Sequence, residues 1–98
     1  MQTTLEKDGS KLTIAVSGRV DTTTSPELEQ AVFENTDGIT DLVLDLKEMS
    51  YISSAGLRVL LKAEKKMKAQ GEMRLINVNN DVMEILDMTG FSDILTIG

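Results

Sequence analysis

Two adjacent hydroxyls, Ser53 and Ser54, lie in the segment Tyr51-Ile52-Ser53-Ser54-Ala55-Gly56-Leu57. An apolar run precedes them and an amphipathic run follows. A serine at such a strand-to-helix junction has two chemical uses. Its oxygen can cap an otherwise free backbone N–H at the helix start. Alternatively, its hydroxyl stands exposed in the positive field of the helix and can take a phosphate, which adds about −1.5 to −2 charges at neutral pH. Ser54 is therefore a candidate switch. Asp21, at the head of Asp21-Thr22-Thr23-Thr24-Ser25, has a similar pair of readings: an Asx-type turn before a helix, or a carboxylate set beside Ser54 to orient its hydroxyl or touch a partner.

The rest of the composition narrows the chemistry. The 98 residues contain no His and no Cys, which removes Ser-His-Asp and Cys-His catalysis, the usual zinc sites, haem ligation by those residues and any disulfide framework. No acids are paired at suggestive spacing and no glycine-rich phosphate loop occurs, so no enzyme activity, metal or cofactor is expected. The net charge of −6 argues against direct nucleic-acid binding, which needs a positive field. Without an apolar run of about 18 residues no membrane insertion is expected. The beginning, MQTTLEKDGS, lacks the basic and apolar regions of a signal peptide, so the expected location is cytoplasmic.

The elements that must position these groups follow from periodicity. Leu12, Ile14 and Val16 alternate with polar or small residues, and residues 3–7 and 11–17 around Asp8-Gly9-Ser10 predict a hairpin ended by Gly18. Pro26 suits the first helical position with Ser25 as N-cap, and Leu28, Ala31 and Val32 give that helix an apolar face to about Asn35. Leu42-Val43-Leu44 and Leu46 are apolar on both faces, as an interior parallel strand requires. From Ser54 on, Leu57, Leu60, Leu61, Ala63 and Met67 recur at helical spacing, with Arg58, Lys62, Lys65, Lys66 and Lys68 opposite and Gly71 as terminator. Residues 73–78 predict a strand. A third helix capped by Asn80 or Asn79 carries Val82, Ile85, Leu86 and Thr89, and Ile94–Ile97 predicts a last strand. Met49, Met67, Met83 and Met88 are expected to fill the core and its rim.

The expected order is β-β-α-β-α-β-α-β: one α/β domain spanning residues 1–98, mainly a parallel sheet with an N-terminal antiparallel hairpin strand. A phospho-receiver domain shares this size and class. It needs an acidic pair after its first parallel strand and a Lys near its last one. Val16-Ser17-Gly18 and Val78-Asn79 supply neither.

The central segment, Asp45-Leu46-Lys47-Glu48-Met49-Ser50-Tyr51-Ile52-Ser53-Ser54-Ala55-Gly56-Leu57, resembles the bacterial anti-sigma factor antagonists built on the STAS domain. Gly18-Arg19-Val20-Asp21 and the stretch from Val78-Asn79 to Ile94-Leu95 are similar to other parts of the same pattern, so the resemblance covers essentially the whole chain. It implies a STAS-like fold and a protein that acts by binding. Unphosphorylated, such a protein binds an anti-sigma factor kinase and frees a sigma factor; phosphorylated, it lets go, and a serine phosphatase resets it. Alignment on Gly56-Leu57 puts the phosphate on Ser54. The expected partner surface is Asp21, Thr22, Ser53, Ser54, Ala55 and Gly56, together with Arg58, which the basic face of the helix places one turn beyond Ser54, where it can steer an acidic partner. Two positions depart from the pattern: its Asp before the phosphoserine is Ser53 here, and the following Ser or Thr is Ala55. That lost carboxylate keeps a second expectation alive, a STAS scaffold or interaction module without a working phosphoswitch.

Overall fold

The computed structural model describes all 98 residues. Strands β1 (Gln2–Asp8) and β2 (Lys11–Val20) form the hairpin, followed by α1 (Ser25–Phe33), β3 (Asp41–Asp45), β4 (Met49–Ile52), α2 (Ser54–Lys68), β5 (Glu72–Ile76), α3 (Asn80–Met88) and a 3-10 turn, Phe91–Asp93. The sheet runs β1-β2-β3-β5, and β4 joins it through β2. Only β1 is antiparallel to its neighbour. The molecule is thus the single α/β domain that the alternation of strand and helix patterns predicts, with a mixed five-stranded sheet.

The long strand β2 organises the sheet. Its first half, Lys11–Ala15, pairs with Asp41–Asp45 of β3, and its end, Gly18–Val20, pairs with β4 across a register shift between Gly18 and Arg19. Leu12, Ile14, Val16 and Val20 of β2 are buried with Leu42 and Leu44 of β3 and Met73 and Leu75 of β5. Onto them pack Leu28 and Val32 of α1, Leu57, Leu60, Ala63 and Met67 of α2, and Val82 and Leu86 of α3. Each fully buried aliphatic side chain contributes about 1.5–3 kcal/mol, so the helices are held where their apolar stripes meet the sheet.

The structure corrects the expected element order in two places. Strand β4 is an addition, and β2 runs through Gly18 to Val20 because β4 offers it a partner there. The expected final strand is absent: Phe91–Asp93 forms a 3-10 turn instead, and only Ile97 makes a parallel bridge, to Leu75. The strand expected over 73–78 stops at Ile76, where Asn77 turns to a φ of 55° and donates from its side chain to Asp45. Helix α1 starts at Ser25 with Thr24 at the N-cap and ends at Phe33. Met49 and Met67 are core residues as expected, whereas Met88 is largely exposed.

Candidate functional site

The parallel register sets the site. Val20 pairs with Ile52, so the chain leaves β2 at Asp21 and β4 at Ser53 side by side, and the Ser53 N–H donates to the Val20 carbonyl at 2.8 Å. Strand carboxyl ends and helix N-termini are where α/β folds present groups to partners.

Helix α2 starts at Ser54, and its N-cap is Ser53. Ser53 has extended backbone (φ −90°, ψ 175°), its carbonyl accepts from the Leu57 N–H at 2.9 Å, and its Oγ accepts from the Gly56 N–H at 3.3 Å. Capping is therefore the work of Ser53. Serine and aspartate are near-equal caps, so the serine retains this hydrogen bond and drops only the charge. Ser54, the first helical residue, is exposed, and no hydrogen bond engages its hydroxyl. Gly56 brings the first turn down on the strand ends: a Cβ there would lie 2.6 Å from Cγ1 of Ile52 and 2.8 Å from Cγ1 of Val20.

Asp21 is built differently. Its Oδ1 accepts from the Thr23 N–H at 3.0 Å, the Thr23 hydroxyl at 2.7 Å and the Thr24 N–H at 3.1 Å. The Thr24 hydroxyl accepts from the Asp21 N–H at 2.8 Å and donates to the Arg19 carbonyl at 2.9 Å. The Thr23 hydroxyl and then the Thr24 N–H hold the Asp21 carboxyl down from 3.8 to about 2, because both bind its charged form. Thr24 is thereby occupied, which is why α1 has no side-chain N-cap bond. Thr22, expected among the partner-binding residues, is exposed and outside this network.

Sequence reasoning missed one member of the site. The Arg19 guanidinium lies 4.2 Å from the centre of the Tyr51 ring and its Nε 3.6 Å from Asp21 Oδ2. Arg19 thus links the end of β2 to β4. The only sequence signal was the register that sets Arg19 against Tyr51, and it appears once β4 is recognised as a strand.

Ala55, Arg58 and Val59 of α2 form one wall of a cleft of about 200 Å³, closed by Ser25, Pro26 and Glu29 of α1 and by Lys62. Arg58 is exposed and free of any ion pair. The expected basic face of α2 is split. Lys62 pairs with Glu29 of α1 at 3.0 Å, and Lys66 turns toward α1, 3.8 Å from Asp37 and 5.9 Å from the centre of the Phe33 ring. Arg58, Lys65 and Lys68 are the cations left facing outward. No group of His, Cys, Asp or Glu side chains could hold a metal ion, and no helix is long and apolar enough to cross a membrane.

A strand-end platform carrying a capped helix start thus lies beside a cleft between two helices. Residues 2–98 match the STAS domain family. The chain is 35% identical over 95 residues to the anti-sigma-B factor antagonist of Listeria monocytogenes, covering 94% of this chain and 82% of that protein. It is 28% identical over 94 residues to the anti-sigma-B factor antagonist of Bacillus subtilis, covering 95% and 86%. Among solved structures, an anti-sigma factor antagonist from Mycobacterium paratuberculosis matches with a TM-score of 0.88 at 25% identity, over 98% of this chain and 83% of that one. The Bacillus cell fate determinant SpoIIAA in its phosphorylated form shares the fold, with a TM-score of 0.76 at 15% identity over 99% and 91% of the two chains. This chain belongs to the STAS domain family, among the anti-sigma factor antagonists.

Proposed function

We infer that this protein is a partner-switching antagonist with Ser54 as its toggle. Unphosphorylated, it binds an anti-sigma factor kinase and releases a sigma factor; phosphorylated on Ser54 it lets go, and a serine phosphatase restores it. The observation that carries this reading is the division of labour between the two serines: Ser53 caps α2, and the exposed Ser54 hydroxyl is left without a structural task. A phosphorylated form of a structural neighbour, SpoIIAA, supports it.

In this reading Asp21 and Thr22 present the adjoining loop to the partner, the small Ala55 side chain lets the partner approach closely, Gly56 serves from beneath by seating the turn on Ile52 and Val20, and Arg58 meets an acidic group at the cleft. The reading makes an energetic demand. A 100-fold loss of affinity needs about 2.8 kcal/mol. A phosphate of about −1.5 to −2 charges, placed in an interface that holds no cation for it, can supply that through desolvation and repulsion without a change of fold. Calorimetric titration of the anti-sigma factor kinase with the unmodified protein and with Ser54→Glu tests it. The expected result is tight binding for the first and a loss of at least about tenfold for the second. Equal affinities would overturn the toggle and leave the phosphoswitch-free STAS module.

A further inference from the structure

The two edges of the sheet are finished differently. On the outer edge of β5, the Leu75 N–H donates to the Thr96 carbonyl and the Gly98 N–H to the Leu75 carbonyl, both at 2.9 Å, so residues 96–98 cover that edge. On β1, nothing pairs beyond β2. The β1–β2 ladder is unbroken from Gln2–Ser17 to Asp8–Lys11. β1 contains no proline and no bulge, two of the devices that blunt an edge; its charges, Glu6, Lys7 and Asp8, are confined to the end nearest the turn, and its central residue, Leu5, is one of the few large apolar side chains left exposed, at 40%.

The hairpin fixes which backbone groups face outward. Its loop is two residues long, Gly9-Ser10, with Gly9 at a φ of +61°, the geometry of a type II′ turn closed by a hydrogen-bonded pair. Pairs alternate along an antiparallel ladder, so Asp8, Glu6, Thr4 and Gln2 turn their N–H and C=O groups toward β2. Thr3, Leu5 and Lys7 turn theirs to the open edge.

We propose that β1 is a self-pairing edge: two copies of this chain join β1 to β1, antiparallel, about a two-fold axis at Leu5, so that their sheets become one. Side chains must share faces across the seam, so registers slip in steps of two residues. In the Leu5-centred register every outward group of Thr3, Leu5 and Lys7 finds a partner. Leu5 covers Leu5 of the second copy, Thr3 faces Lys7, Thr4 faces Glu6 and Gln2 faces Asp8. No like charges stand opposite each other, and each carboxylate meets a hydroxyl or amide donor. Slipping one way sets Glu6 against Glu6; slipping the other sets Lys7 against Met1, which lies outside the strand. A single strand edge falls well short of the roughly 800 Å² per partner of a stable interface, and each copy carries −6. The dimer is therefore reversible and strengthens with salt as repulsion is screened.

The absence of native cysteine permits a direct test by single introduced thiols. A hydrogen-bonded antiparallel pair has its Cα atoms about 5.5 Å apart, within the roughly 4.4–6.8 Å that a disulfide spans. Under mild oxidation Leu5→Cys is expected to form a linked dimer about tenfold faster than Asp87→Cys, an exposed control on α3. Thr3→Cys and Lys7→Cys should each stay unlinked alone and link when mixed. Sedimentation velocity of the unmodified chain should show a concentration-dependent dimer favoured by salt, lost in Leu5→Lys with the melting temperature kept. A chain that stays monomeric at all concentrations, Leu5→Cys linking no faster than the control, or Thr3→Cys linking to itself as readily as Leu5→Cys would overturn the proposal. Linkage through a different register, or an edge taken only by a strand from another protein, would do the same.

Discussion

The loops that leave β2 and β4 lie side by side, yet they are built in opposite ways. In the first, the Asp21 carboxylate is saturated by Thr23 and Thr24, the Thr24 hydroxyl is used twice, and Arg19 bridges to Tyr51. In the second, a single side-chain bond, Gly56 N–H to Ser53 Oγ at 3.3 Å, holds the turn, and the next hydroxyl is bare. One loop is a frame and the other is a presenting turn. The lesson is that neighbouring polar residues of similar type divide into those consumed by the backbone and those left for chemistry, and only hydrogen-bond accounting tells them apart.

That contrast breaks in graded ways. The largest effect on stability is expected from Gly56→Ala, because the added methyl overlaps Ile52 and Val20. Overpacking of this kind costs about 1–3 kcal/mol, read as a lower midpoint in urea, and it should weaken kinase binding too by lifting the first turn of α2. Ser53→Ala removes the cap and should cost about 1 kcal/mol, while Ser53→Asp restores it; matched urea curves check both. Asp21 gives a smaller effect confined to acid. Its pKa is lowered from 3.8 to about 2, so its contribution is complete above the unfolded value and is lost as pH falls through the folded one. Between roughly pH 4 and pH 2 the melting temperature of the native protein should therefore fall more than that of Asp21→Asn. Smallest of all is Ser54→Ala, which should leave stability within about 0.5 kcal/mol by the same curves. A loss comparable with that of Ser53→Ala would mean that the hydroxyl has a structural role after all.

Much of this was legible in the sequence, for physical reasons. Leu42-Val43-Leu44 is apolar on both faces because β3 lies between β2 and β5, and the helical spacing of Leu57, Leu60, Ala63 and Met67 reflects one buried side of α2. Strand β4 was not legible: Met49-Ser50-Tyr51-Ile52 is too short for a pattern, and its existence depends on β2 being long enough to pair beyond β3. Ile94–Ile97 carries a strand-like pattern, yet Gly90 at a φ of +79° turns the chain into the 3-10 turn and leaves Ile97 alone to pair. Sequence located the two serines, while their roles depended on backbone angles. Extended ψ at Ser53 makes it the cap and frees its neighbour. The basic face of α2 is narrower than its sequence suggests because Lys62 and Lys66 reach partners on α1 or just beyond it, far away in sequence.

The most direct test of the central claim is phosphosite mapping after incubation with the anti-sigma factor kinase and ATP. The account predicts one phosphate, on Ser54, retained in Ser53→Ala and abolished in Ser54→Ala. A phosphate on Ser53, or an unmodified chain in the presence of an active kinase, would contradict it.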